Sequence, residues 1–146
     1  MRRRFAVTLV VLLVAACLSG PSRATGGPVY RVVVNAANPH TTVDRRFLAD
    51  AFLKKVTRWG AGDPIRPVDQ RSESGARQRF SEDILGRSVA AVKSYWAQLV
   101  FSGRDLPPPE LDGDDEVVRY VAKHVGAVGY VSASASVDGV KVVGVR

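Results

Sequence analysis

Apolar residues come in short blocks along this chain, and their spacing changes from block to block. Tyr30 to Val34 is a continuous, β-branched run ending at Asn35, the pattern of a buried strand. Ala36-Ala37-Asn38-Pro39 follows as a turn, because proline disfavours helix at the residue before it. Val43, Phe47, Leu48, Ala51, Phe52 and Val56 then recur at helical spacing, with Arg45, Arg46, Asp50 and Lys54 off that face. Thr41 or Thr42 is placed to cap this helix, and Asp44 falls in its first turn.

Trp59 to Pro64 holds two glycines and a proline and reads as a loop. Ile65 to Val68 is a brief strand, and Pro67 within it favours a sheet edge. Ser72 or Ser74 opens a helix with Phe80, Ile84 and Leu85 on its apolar face, closed by Gly86. Ser88 caps a further helix, Val89 to Phe101, and Gly103 to Gly113, with its three consecutive prolines, is a loop. Asp112, Asp114 and Asp115 precede a helix with Val117, Val118, Tyr120 and Val121 that ends at Lys123, His124 and Gly126. Val128 to Val131 and Val140 to Val145 are two last strands. The sum predicts an α/β domain with a short sheet flanked by helices.

The N-terminal block is of another kind. Arg2, Arg3 and Arg4 precede an apolar run from Phe5 to Leu18, which is short for a membrane span. Small residues follow, and Ser22 and Ala24 are spaced as at a cleavage site. Residues 1–24 are therefore expected to be a secretion signal, and 25–146 the folded domain in the periplasm or cell envelope. An alternative is that Val14-Ala15-Ala16-Cys17 is a lipobox, which would make Cys17 a lipid-carrying first residue and leave a flexible tether behind it. Arg2-Arg3-Arg4-Phe5 is also similar to the core of a twin-arginine signal.

Removing the signal changes the charge picture. The whole chain has 21 basic and 14 acidic residues, net +7; four of the arginines precede Thr25, so the domain keeps 17 basic residues and a net charge of +3. No long basic run remains, which argues against nucleic acid. Cys17 is the only cysteine, so the domain has no thiol chemistry and no disulfide.

Few side chains group as chemistry requires. His40 and His124 stand apart, and Asp112, Asp114, Asp115 and Glu116 suit a helix N-terminus better than a calcium loop. No metal and no cofactor is expected. Tyr30, Trp59, Tyr95, Trp96 and Phe101 read as packing. Nucleophile-elbow and nucleotide-binding motifs are missing from the sequence, so catalysis is not expected. One stretch does suit a ligand. From Gln70-Arg71-Ser72-Glu73 into Ser74-Gly75-Ala76-Arg77, small residues open a helix where backbone N–H groups and the helix dipole favour an anion. Ser74 adds a hydroxyl, and Arg71 or Arg77 adds charge.

The pieces FLKKVTRWGAGDPIRPVDQ, SESGARQRFSEDILG, YWAQLVFSG and GAVGYV occur in the order seen in phosphate ABC-transporter substrate-binding proteins, and the chain resembles that family from about Val32 to Val143. The resemblance implies one lobe of a type 2 periplasmic-binding-protein-like fold. It also implies phosphate or a similar oxyanion as ligand, an ABC permease as partner, and binding without catalysis. The family's helix-start motif is close to GSGTR; Ser74, Gly75 and Arg77 match it, while Glu73 replaces a glycine and Ala76 the threonine. Lys54 stands where the family's FLGK turn has glycine. Family members are roughly twice this length, so a second lobe, from another chain or a second copy, would complete the site. The alternative reading is an envelope interaction protein that keeps the fold without the ligand.

Overall fold

A computed structural model describes residues 29–60 and 62–146. The expected signal, both processing sites and Cys17 lie outside the described residues. Strand β1 (Tyr30–Asn35) is followed by β2 (Thr42–Val43), helix α1 (Arg45–Phe52), β3 (Arg66–Pro67) and β4 (Asp69–Gln70). Helix α2 (Gly75–Phe80) runs straight into a π-helical turn, Ser81–Leu85. Then come α3 (Val89–Phe101), β5 (Glu110–Leu111), α4 (Asp114–Lys123), β6 (Ala127–Ser132) and β7 (Val140–Val145).

The main sheet has five strands in the order β2-β7-β1-β6-β3. β1 lies at its centre, antiparallel to both β6 and β7, with Val33 opposite Gly129 on one side and Val142 on the other. β2 and β3 are the edges, each parallel to its neighbour. Pro67 therefore sits where a missing N–H costs no ladder bond. β4 and β5 form a separate parallel pair.

Alternation along β1 divides its valines between two cores. Val32 and Val34 face one side, with Phe52, Phe80, Val92, Trp96, Tyr130 and Val143. Val33 faces the other, with Val117, Val121 and Val131, so α4 covers that face alone. On the first side Phe80 stacks on Tyr130 with ring centroids 4.1 Å apart, and Phe52 lies 4.6 Å from Phe80.

Four local expectations are corrected. Neither Thr41 nor Thr42 caps α1. Thr42 and Val43 pair with β7, so the helix starts later and Asp44 is the cap, accepting from the Phe47 amide at 3.0 Å. Val43 is consequently buried from a strand, and α1 ends at Phe52, so Val56 is outside it as well. The expected Ile65–Val68 strand is only two residues long, because the chain leaves the main sheet to form β4. The proline-rich loop contains β5. Phe101 is 96% exposed and lies outside both cores. Ser74 is the α2 cap, Ser88 caps α3, and Gly86 ends the π-turn at φ 61°. Lys54, at the position glycine holds in the resembling family, has φ 54°, a conformation that disfavours a β-carbon.

Gly129 lets α4 approach the sheet. A β-carbon there would meet Val117 Cγ1 at 2.7 Å and Val68 Cγ2 at 2.9 Å. Gly129→Ala is expected to destabilise the fold by about 1–3 kcal/mol, seen as a lower urea midpoint at unchanged slope. Gly144→Ala, whose nearest contact is Thr42 Cγ2 at 3.4 Å, serves as a control expected within about 0.5 kcal/mol of wild type.

Candidate functional site

The segment that suits an anion begins where β4 ends. Ser74 takes extended backbone angles, and its Oγ accepts from the Arg77 amide at 3.3 Å, so the helix starts at Gly75. The same hydroxyl donates to Gln70 Oε1 at 2.6 Å. Gln70 is itself buried, and its Nε2 donates to the Tyr130 carbonyl and to Asp114 Oδ1, both at 2.9 Å. Asp114 also accepts from the Ser132 amide at 2.9 Å. Side chains of β4 and α4 and backbone groups of β6 thus fix the start of α2.

Arg77 turns inward. It is 2% exposed, among the largest fully buried side chains. Its Nη1 lies 2.6 Å from Asp69 Oδ1, donates to the Gln70 carbonyl at 2.8 Å, and lies 3.6 Å from Glu110 Oε1. Among the described residues its Nε has no hydrogen-bond partner. Asp69 Oδ1 also accepts from the Tyr130 hydroxyl and from the Gln70 amide. Burial pushes the Asp69 carboxyl up to about 6, against the opposing pull of Arg77 and the Tyr130 hydroxyl. Burial and the neighbouring Asp69 raise the Tyr130 hydroxyl in turn. A buried ion pair gains little over an apolar replacement of equal shape, but removing one partner strands a charge. The pair therefore locks α2 onto β4. It lines a cavity of about 300 Å³ beside Trp96 of α3 and Pro107.

The residues singled out in the sequence fall into two groups. Ser74, Gly75 and Arg71 lie at the open end of α2, with room for a β-carbon and more at Gly75. Arg71 is exposed and pairs with Asp112 at 3.2 Å. Ala76 and Arg77 instead direct their side chains into the interior. Glu73 is exposed at the same end, and its carboxyl is held below the ordinary range by the Ser72 hydroxyl, which donates to it at 2.8 Å. Asp69 and Tyr130 do not stand out in the sequence, which places Gln70 in the stretch and Asp114 at a helix start without joining them to this network. One signal was available. Arg77 falls in helical phase with Phe80 and Ile84, and a charge on a buried stripe demands a buried partner.

No family model matches this sequence, and no curated protein matches it. Solved structures match its fold. An ABC-type phosphate transport receptor from Vibrio cholerae aligns with a TM-score of 0.61 and 21% identity, over 80% of this chain and 45% of that one. A protein from Clostridium perfringens, described as a phosphate ABC transporter substrate-binding protein and crystallised with phosphate bound, aligns with a TM-score of 0.62 and 24% identity, over 80% and 44%. PstS from Borrelia burgdorferi aligns at 0.61 and 11% identity, over 81% and 47%. The chain spans less than half the length of these structures. At such identities the likeness is one of fold: a single α/β lobe of the kind these receptors contain.

The raised Asp69 carboxyl has a definite consequence for stability. Between pH 4 and 6 the native carboxyl keeps a proton that the unfolded one, with an ordinary value of 3.8, has lost. Stability relative to Asp69→Asn is therefore expected to fall on raising the pH through that window and to level off above it, by an amount on the order of 2–3 kcal/mol. Urea midpoints of the two proteins across pH 4 to 8 measure this slope, whatever their constant offset. Arg77→Met is expected to cost about 3–5 kcal/mol near neutral pH by leaving Asp69 unpaired.

Proposed function

We propose that this protein is an exported solute-binding lobe that holds phosphate or a similar oxyanion at Ser74, Gly75, Ala76 and Arg77, with Arg71 at the rim, for ABC-type uptake. The observation that carries the reading is the alignment of four-fifths of the chain with receptors named for phosphate transport. The start of α2 supports it. The amides of Gly75 and Ala76 belong to a first helical turn, where backbone donors lack intrahelical acceptors. Ser74 Oγ, whose proton goes to Gln70 Oε1, would exchange that acceptor for an anion, and Arg71 has only a solvent-exposed partner to exchange. Arg77 acts from below, its charge balanced by Asp69, so it orders the turn more than it grips a ligand. The role is binding, with no catalytic step.

Export rests on residues 1–24, whose charged start, apolar run and small-residue end suit a cleaved signal; lipidation at Cys17 is the alternative. Among the described residues no helix is long and apolar enough to cross a membrane. A permease is the partner this role calls for, and a second lobe from another chain or another copy would enclose the anion.

A second reading, an envelope interaction protein that retains the fold, is favoured by two observations. The Asp69 carboxylate already neutralises Arg77, and the Glu73 carboxylate sits at the very end an anion would approach. Calorimetric titration of phosphate, with sulfate as control, separates the two. An open half-site is expected to bind phosphate weakly, near ~1 mM or about 4 kcal/mol, with the heat lost in Arg71→Ala/Ser74→Ala. Absence of heat from wild type at several millimolar phosphate removes the solute-binding role and leaves the interaction role.

A further inference from the structure

The central sheet parts at one end. The β1–β7 ladder stops at Val32 opposite Val143, although β1 reaches back to Tyr30 and β7 runs on to Val145. Each strand is held away from the other. β1 stays with β6, where Tyr30 is opposite Ser132 and the Ala133 amide donates to the Val29 carbonyl at 3.1 Å. β7 leaves with β2: the Gly144 amide donates to Thr41, the Arg146 amide to Val43, and the Arg45 amide to the Arg146 carbonyl, at 2.8–3.1 Å. A cleft of about 590 Å³ opens between them. In the antiparallel register Tyr30 and Val145 are the next pair in phase with Val32 and Val143, so backbone donors and acceptors of both strands face this space without a ladder partner among the described residues.

The cleft has apolar and basic surfaces side by side. Val29 and Val142 line it while 54% and 41% exposed, two of the few large apolar residues left open to solvent. Arg45 and Arg79 line it against one carboxylate, Asp83. Arg45 spends one nitrogen on the Asp83 carbonyl at 2.7 Å, and Arg79 lies no closer than 3.8 Å to any carboxylate. Among the described residues neither guanidinium has a carboxylate closer than 3.8 Å, so each can exchange these contacts for a stronger acceptor.

We propose that this cleft is a docking site for an extended, acidic peptide segment of a partner protein, which adds as a strand between β1 and β7 and places carboxylates on Arg45 and Arg79. Unpaired strand edges are the feature that strand addition uses, and alternate side-chain surfaces supply its specificity. About three residues span ~10 Å of cleft, enough to set one apolar side chain against Val29 and Val142 and an acidic one on each side of it. Charge selects the occupant. Residues 1–28 of this chain carry arginines as their only charged side chains, so its own N-terminal segment does not offer the complement; the basic pair Arg45 and Arg79 calls for an acidic strand.

The test uses the purified protein and a short labelled peptide alternating valine and glutamate. Three controls accompany it: the same peptide N-methylated at alternate amides, its lysine counterpart, and inorganic phosphate. Expected are saturable fluorescence anisotropy with the glutamate peptide and matching NMR shifts at the Tyr30 and Val145 amides. Affinity should drop roughly tenfold or more in Arg45→Gln/Arg79→Gln, two exposed positions whose replacement leaves the cores intact. The N-methylated peptide should fail. Equal binding of the N-methylated or lysine peptide overturns the proposal. So do shifts produced by phosphate alone, a self-associated protein with the cleft at its dimer interface, or no response to the glutamate peptide at millimolar concentration. Because the cleft shares no residue with the start of α2, these outcomes are independent of phosphate binding there.

Discussion

A guanidinium with almost no access to water must be matched where it lies, and much of this lobe is arranged around that need. Arg77 brings together the carboxylate of Asp69, the carbonyl of Gln70 and, more distantly, Glu110. Those residues belong to β4 and β5, a pair of two-residue strands that would be marginal by itself. The Tyr130 hydroxyl on Asp69 and the Gln70 amide on Asp114 extend the network to β6 and α4. Around it the Phe52, Phe80 and Tyr130 rings exclude water, which strengthens every polar contact inside and makes each one costly to break.

That arrangement bears on what the start of α2 does. In an open anion site the nearby arginine would reach outward. Here the side chain three residues into the helix goes in, and the neutral methyl of Ala76 follows it. What remains at the surface is a turn of backbone donors, one hydroxyl and Arg71, opposed by Glu73. The buried network thus supplies rigid support beneath this surface, and Arg71 supplies the exposed positive charge.

Much of the fold was legible because its strands and helices carry their own signals. The β-branched runs in β1, β6 and β7 alternate between two cores, and Ser74, Ser88 and Gly86 mark helix ends by side-chain and backbone chemistry. What could not be read depends on distant partners. Thr42 looks like a cap until Gly144 and Val145 arrive beside it, and β5 hides after three prolines because only β4 makes it a strand. At the candidate site Ser72 or Ser74 is expected to open the helix, and Ser74 is the cap; Arg71 or Arg77 is expected to add charge, and the helical phase of Arg77 also puts it on the buried stripe. Burial gives that charge an internal partner, Asp69.

The central position of β1 also sets the order in which this molecule can form. Both of its neighbours come from the last quarter of the chain, and even the Arg31 guanidinium finds its acceptor on Ala135, 104 residues further on. Contacts of such sequence separation close large loops before they return any stabilisation, which slows folding. A chain emerging N-terminus first holds β1 without these mates until β6 and β7 have followed.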